Sequence, residues 1–262
     1  MDTLVIQRPS LHQHNYRHID RKNKMPIQLN NLTINGQVNG SVPFASTLDL
    51  VAYFDLASNF SDSISGGVTV SQNTAFTPIF STDSPFPSSS GSWQLNGAEG
   101  IGNPSLGPFS GPGSYSAGIW MKVSSYPATS ETFFQQRSSQ NNGEYMFFLQ
   151  SNGTLGYIDY PGGTGGAAIN STGIVPLNTW NLVGISRSSS GPISFIINGV
   201  ISNTVGITSV NNVQANNGLS IGYDQRNNTS FFTGNLRSAF FYNRLLTSAD
   251  WSAIYANRLP LV

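Results

Sequence analysis

The chain has 262 residues, no cysteine, and 12 Lys and Arg balanced by 12 Asp and Glu, so its formal charge is zero and only 9% of residues are charged. These figures exclude disulfides, thiolate metal sites and cysteine nucleophiles, and a neutral chain is not expected to bind nucleic acid generically. No apolar run approaches the length of a membrane span, and the opening residues Met1–Arg8 show no apolar h-region, so neither membrane insertion nor a secretory leader is expected.

Charge is unevenly placed along the chain. Residues 1–26 hold Arg8, Arg17, Arg21, Lys22 and Lys24 against Asp2 and Asp20, a net of +3, together with His12, His14 and His18. Residues 41–262 hold 7 basic and 10 acidic residues, a net of −3. Residues 1–28 show no sustained period and are interrupted by Pro9 and Pro26, so they read as a basic extended arm that orders against a partner. Residues 29–46 read as a short β collar or linker, with Asn-Gly turns at 35–36 and 39–40.

From Thr47 onward the pattern is strands and turns. Ser114–Val123 alternates, with Tyr115, Ala117, Ile119, Met121 and Val123 on one face. Tyr145–Leu149 and Leu155–Tyr160 flank an Asn152-Gly153 hairpin turn. Trp180–Arg187, Ile193–Ile197 and Val200–Val205 follow, the last two joined by Asn198-Gly199. Leu219–Tyr223 and Leu236–Tyr242 complete the set. Evenly spaced short strands of this kind predict an all-β two-sheet antiparallel sandwich or jelly roll. One helix is expected after Thr247-Ser248-Ala249-Asp250, a capping-box-like start followed by Trp251, Ile254 and Tyr255 on one stripe.

Four stretches, taken in order, carry a family likeness across about residues 47–257. They are Leu50–Asp55 with Asp62–Gly66, Ser92–Gly97 with Gly118–Lys122, Thr179–Val183 with Phe195–Gly199, and Phe232–Leu236 with Phe241–Thr247. This series resembles the laminin-G-like, concanavalin A-like lectin/glucanase superfamily. The resemblance implies that residues 47–262 form a two-sheet jelly roll, with Trp93, Trp120, Trp180 and Trp251 in packing positions. It leaves the function open, because this fold hosts lectins, adhesion modules, glycosidases and structural domains. The last motif of the family usually carries acidic residues after its Gly-x-Leu step. Here Leu236 is followed by Arg237-Ser238, which weakens any carry-over of a calcium site on that strand.

Glycoside hydrolysis needs two carboxylates flanking the bond, roughly 5–9.5 Å apart. No acidic cluster of that kind occurs on one strand, and only Glu144 and Asp159 are placed to meet, across a hairpin. The chain is therefore expected not to be an enzyme. No cofactor is called for. Asp62, Asp159 and Asp224, in or beside polar turns, are weak calcium candidates against the plainer reading of turn-stabilising aspartates. His12, His14 and His18 have spacing that suits a metal only if the arm is helical or clusters on an oligomer axis; the plainer reading is a partner-bound basic arm.

Glycan recognition needs aromatic faces for sugar C–H surfaces and polar groups for hydroxyls. Tyr157, Asp159 and Tyr160 in one loop, and Tyr223, Asp224, Arg226 and Asn227 in another, supply that mixture. The expectation is a lectin-like binding module carried on a larger assembly, a virus or phage particle, as a fibre, decoration or minor capsid protein. The arm, through Arg8, His12, His14, Arg17, His18, Arg21, Lys22 and Lys24, would join it to other subunits, in a homo-oligomer. Cell-surface glycan would be the partner and the virion the location, with the extracellular space or cell surface as alternatives. A purely structural capsid or cement protein is the other reading; a glycosidase is the least favoured.

Overall fold

The computed structural model describes residues 47–64, 68–73, 76–138, 142–161, 166, 168–207, 212–258 and 261, all within the unit Val42–Val262. In chain order the elements are β1 (Leu50–Phe54), β2 (Ser71–Gln72), β3 (Ile79–Ser81), β4 (Ser92–Asn96), β5 (Ile101–Gly102), β6 (Tyr115–Lys122), β7 (Glu131–Arg137), β8 (Glu144–Leu149), β9 (Thr154–Tyr160), β10 (Ile169–Ile174), β11 (Asn181–Arg187), β12 (Ile193–Ile197), β13 (Val200–Val205), β14 (Gly218–Ile221), β15 (Thr233–Tyr242) and α1 (Ser248–Asn257).

They form two antiparallel sheets. One runs β13-β12-β11-β6-β15-β4-β3, with β1 added to β15; the other runs β10-β9-β8-β7-β14-β5-β2. Strand β15 serves both β4 and β1 by breaking its register. Thr233–Leu236 pair with β4 and Ala239–Tyr242 with β1, and between them Ser238 takes a positive φ of 49°.

The alternation expected for β6 is the alternation found. Tyr115, Ala117, Ile119, Met121 and Val123 enter the core between the sheets, where Phe134 meets Phe147 and Phe241 at centroid distances of 5.1 and 5.2 Å. On its other face Gly118 stands opposite Gly184 of β11. This cross-strand glycine pair leaves the groove in which α1 lies. A Cβ on Gly184 would come within 2.4 Å of the Trp251 ring, and one on Gly118 within 2.6 Å of Phe240. The buried indole of Trp251 donates its N–H to Ser186 Oγ at 3.0 Å. Thr247 caps the helix, its hydroxyl accepting from the Asp250 N–H while the Asp250 carboxylate accepts from the Thr247 N–H. All four tryptophans are buried.

Two expectations change. The strand expected over Leu219–Tyr223 stops at Ile221, because Gly222 takes a φ of 84° and turns the chain away. Strands β7 and β10 were not foreseen. In β7 the register shifts between Thr132 and Phe134, so the adjacent Phe133 and Phe134 are both buried and the period of two is broken. In β10, Ile-Asn-Ser-Thr-Gly-Ile, polar residues dominate because it is an edge strand. That edge is stitched to β13 of the other sheet: the Thr172 and Gly173 N–H groups donate to Asn203 Oδ1 and Ser202 Oγ.

Candidate functional site

The second sheet places one row of residues across four strands. Gly218 of β14 is in register with Arg137 of β7, and Glu144 of β8 with Tyr160 of β9. Arg137 and Glu144 themselves lie one step beyond the Gln136–Tyr145 pair. Residues in antiparallel register share a face, so this row lies on the side of the sheet away from the core. Arg137 Nε donates to Glu144 Oε2 at 3.4 Å, and the guanidinium covers one face of the Tyr160 ring, 4.4 Å from its centroid.

Gly218 contributes no side chain, and Gln225 from the following loop fills its place. A Cβ on Gly218 would lie 2.6 Å from Gln225 Nε2, and one on Gly102 of β5 would lie 2.7 Å from Gln225 Oε1. Gln225 Nε2 donates to the carbonyls of Gly218 and Arg137 at 2.6 and 3.1 Å. The loop closes on itself through reciprocal backbone bonds between Asp224 and Thr229, at 2.8 and 3.2 Å. Asp224 organises it: its carboxylate accepts from the Arg226 N–H at 3.1 Å, Asn227 Nδ2 at 2.8 Å and Arg137 Nη1 at 3.2 Å.

Beside this loop is a cleft of about 350 Å³ lined by Ser71, Gln72, Asn73, Gly102, Pro104, Arg137, Ser138, Tyr223, Gln225 and Arg226. Apart from the two arginines, its polar lining is hydroxyl and amide. Tyr223 stacks on Phe231 at 5.5 Å with 10° between the rings. Burial, with a further push from Asp224, raises its phenol to about 12, so Tyr223 is neutral at physiological pH. Asn73 accepts the Gly100 N–H at 2.9 Å, while its Nδ2 is buried and has no partner among the described residues.

The charges of the row compensate one another. Arg137 pairs with Glu144 and Asp224, and Arg226 with Glu144 at 3.6 Å. Glu144 is fully buried and also accepts from the N–H and the hydroxyl of Ser138 at 2.8 and 2.9 Å. Two residues before Arg137, Gln135 is fully buried as well, and neither polar atom of its amide has a partner among the described residues.

Of the residues expected to bind glycan, the structure brings Tyr160, Asp224, Arg226 and Asn227 together around Arg137 and Glu144, and sets Tyr223 in the cleft. It removes Tyr157 and Asp159 from that group, because alternation along β9 points them inward. Tyr157 lies in the core, bonded to Tyr115 through their hydroxyls at 2.8 Å and stacked on Tyr145, and offers no face to a sugar. Asp159 is buried against Arg187 of β11 at 3.0 Å, an ion pair that ties the two sheets together. Glu144 and Asp159 therefore do not meet across the hairpin; they stand on opposite faces of the sheet. Sequence reasoning missed Asn73, Gln225 and Arg137. An Arg and a Glu at the facing ends of two successive strands were the readable signal for the last.

The weak calcium candidates direct their carboxylates to nitrogen donors. Asp62 accepts from the N–H groups of Tyr53, Ile64 and Val68 at 2.8–2.9 Å, a turn-stabilising role; Asp159 and Asp224 hold guanidinium groups. Arg237, at the position where the family usually carries acid, is buried and forms a two-pronged pair with Asp55 at 3.0 and 3.1 Å. Among the described residues no group of three or more His, Asp or Glu comes together, and no helix is long and apolar enough to cross a membrane. The arm residues Arg8, His12, His14, Arg17, His18, Arg21, Lys22 and Lys24 lie outside the described residues.

A laminin G family model, described as the concanavalin A-like lectin/glucanases superfamily, matches residues 95–250, more than half of the chain. The chain belongs to this superfamily. The membership read from the four sequence stretches is thus borne out, as is the all-β sandwich it implied. Solved structures share the fold at low identity. A botulinum neurotoxin type C structure, from work on cell entry dependent upon interaction with two ganglioside molecules, is 11% identical with a TM-score of 0.61; the match covers 81% of this chain and 52% of that one. The binding domain of Paraclostridial Mosquitocidal Protein 1 is 14% identical with a TM-score of 0.62, covering 80% and 52%. Domain 4 of AbnA, a GH43 extracellular arabinanase from Geobacillus stearothermophilus, in complex with arabinotriose, is 20% identical with a TM-score of 0.58, covering 79% and 98%. The chain thus spans about half the length of the toxin chains it matches and nearly all of the arabinanase domain. No curated protein sequence matches it.

Proposed function

We propose that this superfamily member is a non-catalytic carbohydrate-binding module, and that sugar occupies the cleft between β2, β5 and the Tyr223–Asn228 loop. The observation that carries the reading is the lining itself: hydroxyls, amides and a neutral tyrosine. Sugar hydroxyls are the ligand chemistry such a surface matches. Support comes from the relatives in fold, among them an arabinanase domain holding arabinotriose and a neurotoxin that depends on gangliosides.

A cleft of about 350 Å³ is at the small end of ligand sites, so it suits one or two sugar rings. Affinity for a single unit is then in the millimolar range, about −4 kcal/mol, and useful attachment requires many linked copies, which gain on the order of 10²–10⁴. The charge layout of the arm supports its role as the attachment to such an array, and a virus or phage particle is the setting we propose for it. The test is a glycan array probed with a multivalent form of the full chain. Specific binding, lost on Gln225→Ala, is the expected result; a blank array would move the protein to a purely structural role.

A further inference from the structure

The cleft is polar and carries two arginines, and yet among the described residues its ion-pair network has no net charge. Arg137 and Arg226 are the charged groups that line it, and Glu144 and Asp224 neutralise them from buried positions. That makes two cations and two anions in one network. Segments 74–75 and 139–141, which adjoin the lining residues, contain no charged residue in the sequence. The geometry of the pairs matters as much as their number. Arg137 Nε and Nη1 are directed at Glu144 and Asp224, with Met146 Sδ 3.9 Å from Nη1 and the Tyr160 ring below its face. An incoming carboxylate would have to compete with two internal ones for the same guanidinium, and would bring a third negative charge beside them.

Resting on the carbohydrate reading above, we infer that the cleft selects an uncharged saccharide unit over an acidic one. Selectivity here comes from compensation of charge and not from its absence. Removing one carboxylate would therefore convert the site into one that accepts acid.

The test uses the full chain in multivalent form. The probes are galactose-, glucose- and arabinose-terminated oligosaccharides, each paired with a counterpart bearing a terminal sialic acid or uronate. Neutral members should bind and acidic counterparts should be weaker by about tenfold or more. Binding of the neutral set should hardly change between about 0.1 and 1 M salt, over which the Debye length falls from about 10 to 3 Å. Glu144→Gln should gain binding to the acidic set. Because Glu144 is buried and its variant is at risk of misfolding, Arg226→Gln provides an independent reading at a partly exposed position: it leaves the network one negative charge in excess and should weaken acidic binding further relative to neutral binding. Preference for acidic probes, equal binding of both sets, or a gain of acidic binding by Arg226→Gln would overturn the inference while leaving carbohydrate binding in place. No binding to either set would overturn the carbohydrate reading, and the inference with it.

Discussion

Glu144 and Asp159 sit on neighbouring strands and point to opposite faces of one sheet: Glu144 is in register with Tyr160, and Asp159 with Tyr145. A hairpin read as text brings the two carboxylates close, and the pleat separates them. Neither is placed for acid–base work on a common bond. Glu144 is buried among Ser138, Arg137 and Arg226. Asp159 faces the core. We expect purified protein to leave β-glucans, galactans, arabinans and sialosides intact. Hydrolysis abolished by Glu144→Gln or Asp159→Asn would contradict this directly.

The Arg187–Asp159 pair joins the two sheets with both side chains almost completely buried. Removing one partner strands the other's charge. Asp159→Ala is expected to cost about 3–5 kcal/mol in unfolding free energy, whereas replacing both partners, as Asp159→Leu with Arg187→Met, should recover most of that loss. Urea unfolding of the three variants measures it, and a single-variant loss under about 1 kcal/mol would show that the pair is not a link between the sheets.

Alkaline pH should unfold the protein cooperatively. Burial holds the phenols of Tyr115, Tyr145 and Tyr157 well above their ordinary value near 10. A group with a raised folded pKa contributes stability that is complete below its unfolded pKa and is lost as pH climbs toward the folded one. Unfolding free energy should thus be flat with respect to these groups up to about pH 9, then fall by up to about 1.4 kcal/mol per pH unit for each tyrosine above about pH 10. Phenolate absorbance that rises fully while the fold persists would contradict the burial of this cluster.

Gln135 tests what lies under the site. Its amide is buried with no partner among the described residues, and an unsatisfied buried polar group costs about 1–3 kcal/mol. Gln135→Met, close in shape, should raise stability by a kcal/mol or so. A loss of stability would instead identify an ordered water held by Gln135.

Much of the fold was legible in the sequence because β6, β9 and β12 direct alternate residues into the core between the sheets, and the period of two marks that face. The helix was legible because Thr247 and Asp250 announce its cap. Strand β7 escaped because a register shift buries Phe133 and Phe134 together. The site was legible only in part. Loop composition pointed to Tyr223, Asp224, Arg226 and Asn227, but the same composition promoted Tyr157 and Asp159, whose inward direction depends on strand register and not on residue type. Asn73 had no signal, and Gln225 stands out from the rest of its loop only because Gly102 and Gly218 clear space for its amide.

The most direct measurement of the central claim is amide chemical-shift mapping of the labelled chain, titrated with millimolar arabino- and galacto-oligosaccharides. The account predicts saturable shifts confined to Asn73, Gly102, Ser138, Gln225, Arg226 and their neighbours, together with a change at the Asn73 side-chain amide. Shifts clustered elsewhere, for instance around Trp120 and α1, or no saturable shifts with any sugar, would contradict it.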